Sequence, residues 1–443
     1  MSDEIYNELL KKIECKSARI GIIGLGYVGL PLVMELCNAG FFVDGYDVSE
    51  KKVELLSKGG SDIDDIAGET VQQYIDRGTF FPSTNPSILS SDDVILICVP
   101  TPLSRFREPD TSYIEDAVEK VAAIAHPGLL VVLESTTYPG TTNEIIAPKL
   151  AEKGFVIGED IFIAFSPERV DPGNPTYHTG NTPKIVGGVT SRCTNAAVIL
   201  YLSFLDKVIP VSSTAAAEMV KLLENTFRSV NIALVNEMAM ICDRLGLDVW
   251  EIIDAAATKP FGFMPFYPGP GVGGHCIPID PHYLSWKLKA LNFYAHFIEL
   301  AGEVNYRMPN RVIDGIVRHL NEHGKSLKDS TVLVLGVAYK NDISDVRESP
   351  ALDIMKLLIE WGANVLFNDP YVPSLRWDDD TIGSCEISED LLSSVDIVVL
   401  TTNHTIYDCS FLAQHAKLIY DTRNAFAGIA DTDGKIATLG SNR

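Results

Sequence analysis

Arg19-Ile20-Gly21-Ile22-Ile23 is a short apolar run that leads straight into Gly24-Leu25-Gly26-Tyr27-Val28-Gly29. A helical pattern follows from Leu30 to Ala39. A strand that enters GxGxxG and leaves as a helix is the first turn of a doubly wound α/β sheet, and few other folds accept it. Gly24 permits the tight turn, Gly26 lets a pyrophosphate approach the backbone, and Gly29 lets the helix close on the strand. The helix N-terminus adds amide donors and the positive end of its dipole. A second strand, Phe41 to Tyr46, ends in Asp47. That acid lies about 20 residues past the motif, where a carboxylate takes the ribose hydroxyls of an adenosine. It repels a 2′-phosphate, so the residues predict NAD as cofactor rather than NADP. We group Tyr27, Val28 and Lys52 with Asp47 on the cofactor side.

The apolar stretch from Ile20 to Leu36 holds four glycines and a proline, so it reads as this strand–turn–helix and not as a membrane span. Further strands are expected at Asp93 to Val99, Leu129 to Leu133 and Ile161 to Phe165. In an open parallel sheet, ligands bind beyond the carboxyl ends of strands. Thr101, Thr136, Glu168 and Arg169 fall there, although Thr101 or Thr136 taken singly reads equally as a turn or cap. Glu218 to Leu245 reads as one long helix. Lys221, Asn225 and Arg228 share a face of it, either as a solvated stripe or as the lining of a diphosphate site.

A second strand–turn–helix series opens at Thr331 to Gly336, with Ser349-Pro350 as cap and first residue of a helix through Trp361. Strands are expected at Asn364 to Asn368, Asp396 to Leu400 and Leu418 to Tyr420. No GxGxxG accompanies them, so this half is not expected to hold a dinucleotide in the same way. Its loops carry Lys340, Arg347 and Arg423, cations suited to a nucleotide diphosphate. The expected fold is α/β: two Rossmann-like domains with parallel sheets, joined by a helical middle that contains the long helix. The divisions fall at 1–210, 211–325 and 326–443.

The net charge is −23, which argues against nucleic acid as partner and requires a local cluster of cations for any anionic substrate. The eight cysteines have no CxxC or other metal-ligand spacing, so no metal is expected. They read as reduced thiols of a cytoplasmic protein. The first residues lack a basic segment followed by an apolar core, so no signal peptide is expected.

One cysteine stands apart. Gly269-Pro270-Gly271-Val272-Gly273-Gly274-His275-Cys276-Ile277-Pro278-Ile279-Asp280-Pro281 sets a thiol among glycines and prolines with a carboxylate four residues on. Glycines let backbone approach a ligand, and prolines fix the loop on either side. The arrangement suits a nucleophilic thiol with an acid to handle protons or water. The alternative is a tight turn around an inert buried cysteine.

Taken together, these motifs resemble the UDP-glucose/UDP-N-acetylhexosamine 6-dehydrogenase family over nearly the whole chain. The resemblance rests on Gly24 to Leu30 with Asp47, Glu134 to Thr141, Ser166 to Val170, Glu218 to Arg228, the 269–281 loop, and Tyr339-Lys340 through Pro350. Within the family, Gly-Gly-His275-Cys276 and the preceding Lys259 to Tyr267 look most like UDP-N-acetylglucosamine 6-dehydrogenases.

The resemblance implies a four-electron, NAD-dependent oxidation of the sugar C6 hydroxyl to a carboxylate, for a surface polysaccharide precursor. It implies that Cys276 forms a thiohemiacetal and then a thioester. Lys221 and Asn225 would stabilise the oxyanion, and Asp280 would assist proton transfer. Glu168 would lie near the hydrolytic water, and Thr136 would help order that water or the nicotinamide end. Glu168, Arg169, Val170, Lys221, Asn225, Arg228, Gly273, Lys340 and Arg423 would meet the UDP-sugar, with Lys259 acting across a subunit interface. At least a homodimer through the helical middle is implied. UDP-glucose relatives carry a second Glu where this chain has Pro172, so that role is absent or filled differently. The alternatives are a UDP-N-acetylmannosamine, UDP-N-acetylgalactosamine or UDP-glucose enzyme, a single-step β-hydroxyacid dehydrogenase, and a non-enzymatic NAD-binding sensor.

Overall fold

The computed structural model describes residues 2–441 except 64–65, 105–107, 172–173, 175, 275, 378–379 and 432. Two compact units are resolved, Met1–Glu224 with Trp286–Phe293, and Asn225–Ser285 with Tyr294–Arg443.

The described residues of the first unit form an eight-stranded sheet from β1 (Arg19–Ile23), β2 (Phe42–Tyr46), β3 (Phe80–Ser83), β4 (Val94–Ile97), β5 (Leu130–Leu133), β6 (Phe162–Phe165), β7 (Lys184–Gly188) and β8 (Val208–Pro210). Their order is β3-β2-β1-β4-β5-β6-β7-β8. Neighbours are parallel except β6 and β7, which run antiparallel. The central strands β1, β4, β5 and β6 are covered on both faces, which explains their apolar runs. Ile20, Ile22, Leu96 and Val132 point into one core with Leu32, Val33 and Leu36 of the helix Gly29–Asn38. Ile23, Ile95, Ile97 and Val131 point into the other, with Ile114, Val118 and Val121 of the helix Ser112–Ile124. Each such side chain contributes about 1.5–3 kcal/mol by burial. The sheet therefore presents the carboxyl ends of β1, β4, β5 and β6 on a rigid support.

In the second unit, β9 (Thr331–Leu335), β10 (Asn364–Asn368), β13 (Ile397–Leu400), β14 (Ile419–Asp421) and β15 (Ile436–Thr438) form a parallel sheet. Its order is β10-β9-β13-β14-β15, and β11 (Ser374–Trp377) and β12 (Asp380–Gly383) pair antiparallel beside it. Ser349 accepts a hydrogen bond from Ala351 N and starts the helix Pro350–Glu360, with Pro350 in its first turn. The long helix spans Thr214–Leu245, four residues earlier than its expected start. The extra turn begins at Thr214, whose side chain is buried. A second long helix, His296–Glu322, tolerates Pro309 within it. The chain end returns to the helical segment: Trp250 Nε1 donates to Leu439 O at 2.8 Å, and Val249 N to Gly440 O at 3.0 Å. No helix among the described residues is long and apolar enough to cross a membrane.

Candidate active site

The glycine turn after β1 has the geometry a pyrophosphate requires. Gly24 has φ +92°, and a side chain there would strike the Cys98 carbonyl. A methyl on Gly29 would run into the Gly24 carbonyl, whereas one on Gly26 would meet nothing within 4 Å. Gly26 thus leaves its side of the turn open to a ligand. Asp47, at the tip of β2, accepts from Leu25 N and Ser49 N, both at 2.9 Å. One oxygen braces the glycine turn and each keeps a further lone pair for a hydroxyl. Tyr27 and Val28 are half-buried in the turn. Lys52 pairs with Asp62, so its charge is already partnered. Thr101 Oγ1 donates to Thr136 O at 2.7 Å and joins the ends of β4 and β5. These residues fit a bound NAD.

The matching corner of the second unit is closed. Gly336 makes the turn after β9 with φ +79°, and Asp369 stands at the tip of β10 as Asp47 does at β2. Asp369 is buried and accepts from Val337 N at 2.7 Å, Ala338 N at 3.0 Å, Tyr371 N at 2.9 Å and Val372 N at 3.1 Å. His404 Nε2 lies 3.0 Å from the same carboxylate. The missing glycines led us to expect no dinucleotide held here in the same way. The structure adds an acid fully engaged by amides and a ring.

Beyond β6 the first unit gathers a cluster of charged side chains. Glu168 Oε1 accepts from Arg169 N at 2.7 Å and Val170 N at 2.8 Å. Its Oε2 lies 3.2 Å from Lys184 Nζ, which also donates to Glu134 Oε2 at 2.6 Å. The remaining Glu134 oxygen takes the Tyr201 hydroxyl. Burial pushes Glu168 up, but the Lys184 ammonium, the Val170 amide, the Lys221 charge and the Arg169 amide outweigh it and hold the carboxyl below its usual range. Burial pushes Glu134 up. Burial alone would lower Lys184, yet the two carboxylates raise it above its usual value. The arrangement keeps the lysine charged and Glu168 ionised. Arg169 binds Glu224 through its guanidinium and Pro183 O at 2.6 Å, so it ties the Ser166–Val170 segment down. Lys184, Glu134 and Tyr201 were not singled out from sequence. Glu134 was quoted only inside a motif, and Lys184 opens a strand that two glycines disguise.

The cysteine loop lies in the second unit. Cys276 is half-buried. Asp280 N donates to Cys276 O at 2.8 Å, which brings acid and thiol to one turn. Asp280 is 2% exposed, and Asn225 Nδ2 donates to its carboxylate. The glycines before the thiol are pressed against the loop after β9. A side chain on Gly273 would meet Tyr339 and the Glu348 carbonyl, and one on Gly274 the Tyr339 ring. Gly274 N donates to Arg347 O at 3.0 Å, and Gly274 adopts φ +84°. At the loop's start, Gly269 N donates to Asn236 Oδ1 at 3.0 Å, and Asn236 donates to Asn305 Oδ1 at 3.0 Å. These buried amides escaped the sequence reading because single Asn residues on helices carry no signal. His275 lies outside the described residues, as does Pro172.

The expected stripe on the long helix divides. Lys221 and Asn225 are buried, while Arg228 is exposed. Arg347 is bound to Asp345 through Nε and Nη2. Lys340 is half-buried. Arg423 Nε donates to Thr401 O at 2.8 Å and its guanidinium abuts Gly269. Burial pushes Arg423 down to about 10, against the pull of Asp421. Lys259 is exposed, its ammonium 5.1 Å from the Phe261 ring centroid. Among the described residues, no group of three or more His, Cys, Asp or Glu side chains could hold a metal ion.

Comparison with known proteins identifies the family. Residues 18–205 match the NAD binding domain of the UDP-glucose/GDP-mannose dehydrogenase family, 215–307 its central domain and 333–428 its UDP binding domain. The chain is 34% identical to a UDP-N-acetyl-D-mannosamine dehydrogenase of Methanococcus maripaludis, covering 92% of each chain. It is 33% identical to a UDP-N-acetyl-D-glucosamine 6-dehydrogenase of Salmonella typhi, covering 87% of this chain and 90% of the relative. The solved UDP-D-ManNAc dehydrogenase of Pyrococcus horikoshii superposes with a TM-score of 0.87 at 33% identity, over 95% of this chain and 99% of that one. The chain therefore belongs to the UDP-glucose/GDP-mannose dehydrogenase family and is an NAD-dependent nucleotide-sugar dehydrogenase.

Proposed function

We propose that the enzyme oxidises C6 of UDP-N-acetylglucosamine to the carboxylate in two steps through a covalent bond to Cys276. The observation that carries this reading is the Cys276–Asp280 turn with Asn225 on the acid. NAD, when bound, accepts the hydride in each oxidation. The Cys276 thiolate adds to the C6 aldehyde and gives a thiohemiacetal, whose later oxidation level is a thioester. A thiol suits both steps, because it is a strong nucleophile and a good leaving group. Lys221 and Asn225 stabilise the oxyanion. Asp280 moves the proton between the hydroxyl and water, and Glu168 with Thr136 orders the water that releases the acid. Gly24, Gly26, Tyr27, Val28, Gly29, Asp47, Lys52 and Thr101 hold NAD. Arg169, Val170, Arg228, Lys259, Gly273, Lys340 and Arg423 meet the UDP-sugar. We divide the chain into a cofactor domain (1–210), a helical central and dimerisation domain with the cysteine loop (211–325) and a UDP-sugar domain (326–443).

We read the protein as a cytoplasmic homodimer or higher homo-oligomer built through its helical middle. Phe227, Leu234, Ile241 and Leu245 recur on one face of the long helix and are all exposed. Such a stripe is the kind of surface that a second copy covers.

The choice of sugar rests on the Lys259 to Tyr267 segment together with the 269–281 loop. A second reading, UDP-N-acetylmannosamine, is favoured by the names of the M. maripaludis and P. horikoshii relatives. A site that pairs an acetamido group disfavours UDP-glucose by about 1–3 kcal/mol for each polar group left unpaired. A panel of UDP-sugars with NAD, read as kcat/KM for NADH formation, tests this. UDP-N-acetylglucosamine should exceed UDP-glucose by roughly one to two orders of magnitude. A higher value with UDP-N-acetylmannosamine selects the second reading, and a higher value with UDP-glucose overturns both.

A further inference from the structure

We propose that Lys184, which none of the site motifs contains, is a positioning residue whose ammonium holds the Glu168 carboxylate in one orientation through a buried Glu134–Lys184–Glu168 triad. The proposal rests on the reading of Glu168 as the group beside the hydrolytic water. Lys184 opens β7, and its side chain is 5% exposed, against 0% for Glu134 and 15% for Glu168. The ammonium is shared at 2.6 Å with Glu134 and 3.2 Å with Glu168, and lies 5.5 Å from the Tyr201 ring centroid. A carboxylate with both oxygens engaged cannot rotate. Here Oε1 takes two backbone amides and Oε2 takes the ammonium. The amides belong to Arg169 and Val170, so the same contacts fix the chain that follows. β7 is the strand that reverses direction in the sheet. Its first residue therefore enters from the side where the parallel strands β4, β5 and β6 have their carboxyl ends, just beyond which Glu168 lies.

The charges around Glu168 make the lysine hard to replace. Lys184 and Lys221 act on it as cations, and Glu134 faces the same ammonium from the end of β5. Arg169 is turned away onto Glu224, and Cys98 and Tyr201 are buried beside the group and neutral. Without Lys184 the Glu134 and Glu168 carboxylates would face each other with no cation between them, and an acid that loses its cation titrates higher. Glu168 would then lose the bond that fixes Oε2 and would titrate higher, and its protonated form cannot accept a proton from water.

The test uses the full-length protein with Lys184→Met, Lys184→Arg and the charge-balanced pair Lys184→Met with Glu134→Gln. The pair serves where the single variant does not fold, because it removes one charge of each sign. The first readout is the Glu168 carboxylate band in infrared titrations, assigned by its loss in Glu168→Gln. The second is the acid limb of kcat against pH. In Lys184→Met, or in the pair, Glu168 should titrate at least one pH unit higher than in the parent, and the acid limb should move with it. NAD affinity should stay within about twofold, and Lys184→Arg should restore the parent profile. An unchanged Glu168 titration in the folded single variant or the pair overturns the proposal. A parent that forms no NADH with any UDP-sugar overturns the functional reading instead, and the infrared titration still decides the role of Lys184.

Discussion

Cys276 and Asp280 were legible as a pair because Gly and Pro on both sides fix the loop, although the same residues also suit a tight turn around an inert cysteine. We predict that Cys276→Ser retains NAD binding and loses net acid formation by at least about a thousandfold, since a serine hydroxyl is a far weaker nucleophile at neutral pH and an ester leaves less readily. Retention of full acid production, measured as product by chromatography, would remove the covalent step. A second residue-scale feature was not legible. Asp92 and Asp44 are both buried, and Arg19 pairs with Asp44. Neither oxygen of Asp92 has a hydrogen-bond donor, Arg19 Nε lying 3.8 Å from Oδ1, and one oxygen of Asp44 also has none. A proton on Asp92 supplies the missing donor. Burial, and then the Asp44 charge, push Asp92 up to about 8. The folded state thus binds a proton that the unfolded chain releases near pH 4. Stability contributed by that proton is present below the unfolded value and is lost as pH rises toward about 8. Asp92→Asn should therefore flatten the fall in stability between those limits and be more stable than the parent above pH 8 by on the order of 1–2 kcal/mol. Urea unfolding at pH 6 and pH 9 measures it. A variant less stable at both values would show that Asp92 is ionised in the fold.

At the level of elements, the apolar runs that became β1, β4, β5, β6, β9 and β10 were readable, and so was the Ser349-Pro350 cap. β7 was not, because Lys184-Ile-Val-Gly-Gly resembles a loop. Its glycines are imposed from outside: side chains on Gly187 and Gly188 would meet the backbone at Ser213 and Thr194. The cysteine loop follows the same logic. Its glycines were read as room for a ligand, and Gly273 and Gly274 also answer to the packing of Tyr339 and Glu348. The loop after β9 is in turn held by Asp342, which accepts from Thr405 N at 2.8 Å, and by His404 Nδ1, which receives Asp342 N at 2.9 Å. We predict that Gly273→Ala costs about 1–3 kcal/mol of stability through overpacking. It should lower kcat at least tenfold with little change in NAD affinity. Isothermal titration with NAD alongside steady-state kinetics separates the two. Unchanged kcat would mean that the thiol does not depend on this packing.

For the whole molecule, the net charge of −23 left the cations to be found one by one, and three of them proved to be paired with carboxylates within the fold. Lys52, Arg169 and Arg347 each have a carboxylate, a fact of tertiary contact that no spacing reveals. The exposed stripe of Phe227, Leu234, Ile241 and Leu245 was visible only as a long apolar helix. We predict that Leu234→Asp lowers the mass seen by light scattering by at least one oligomer step, and a parent that is already monomeric would contradict it. The two-step oxidation at Cys276 is tested most directly by stoichiometry. With limiting UDP-N-acetylglucosamine and excess NAD, two NADH should form for each sugar consumed, with no free aldehyde. One NADH per sugar would contradict it and reduce the reaction to a simple alcohol oxidation.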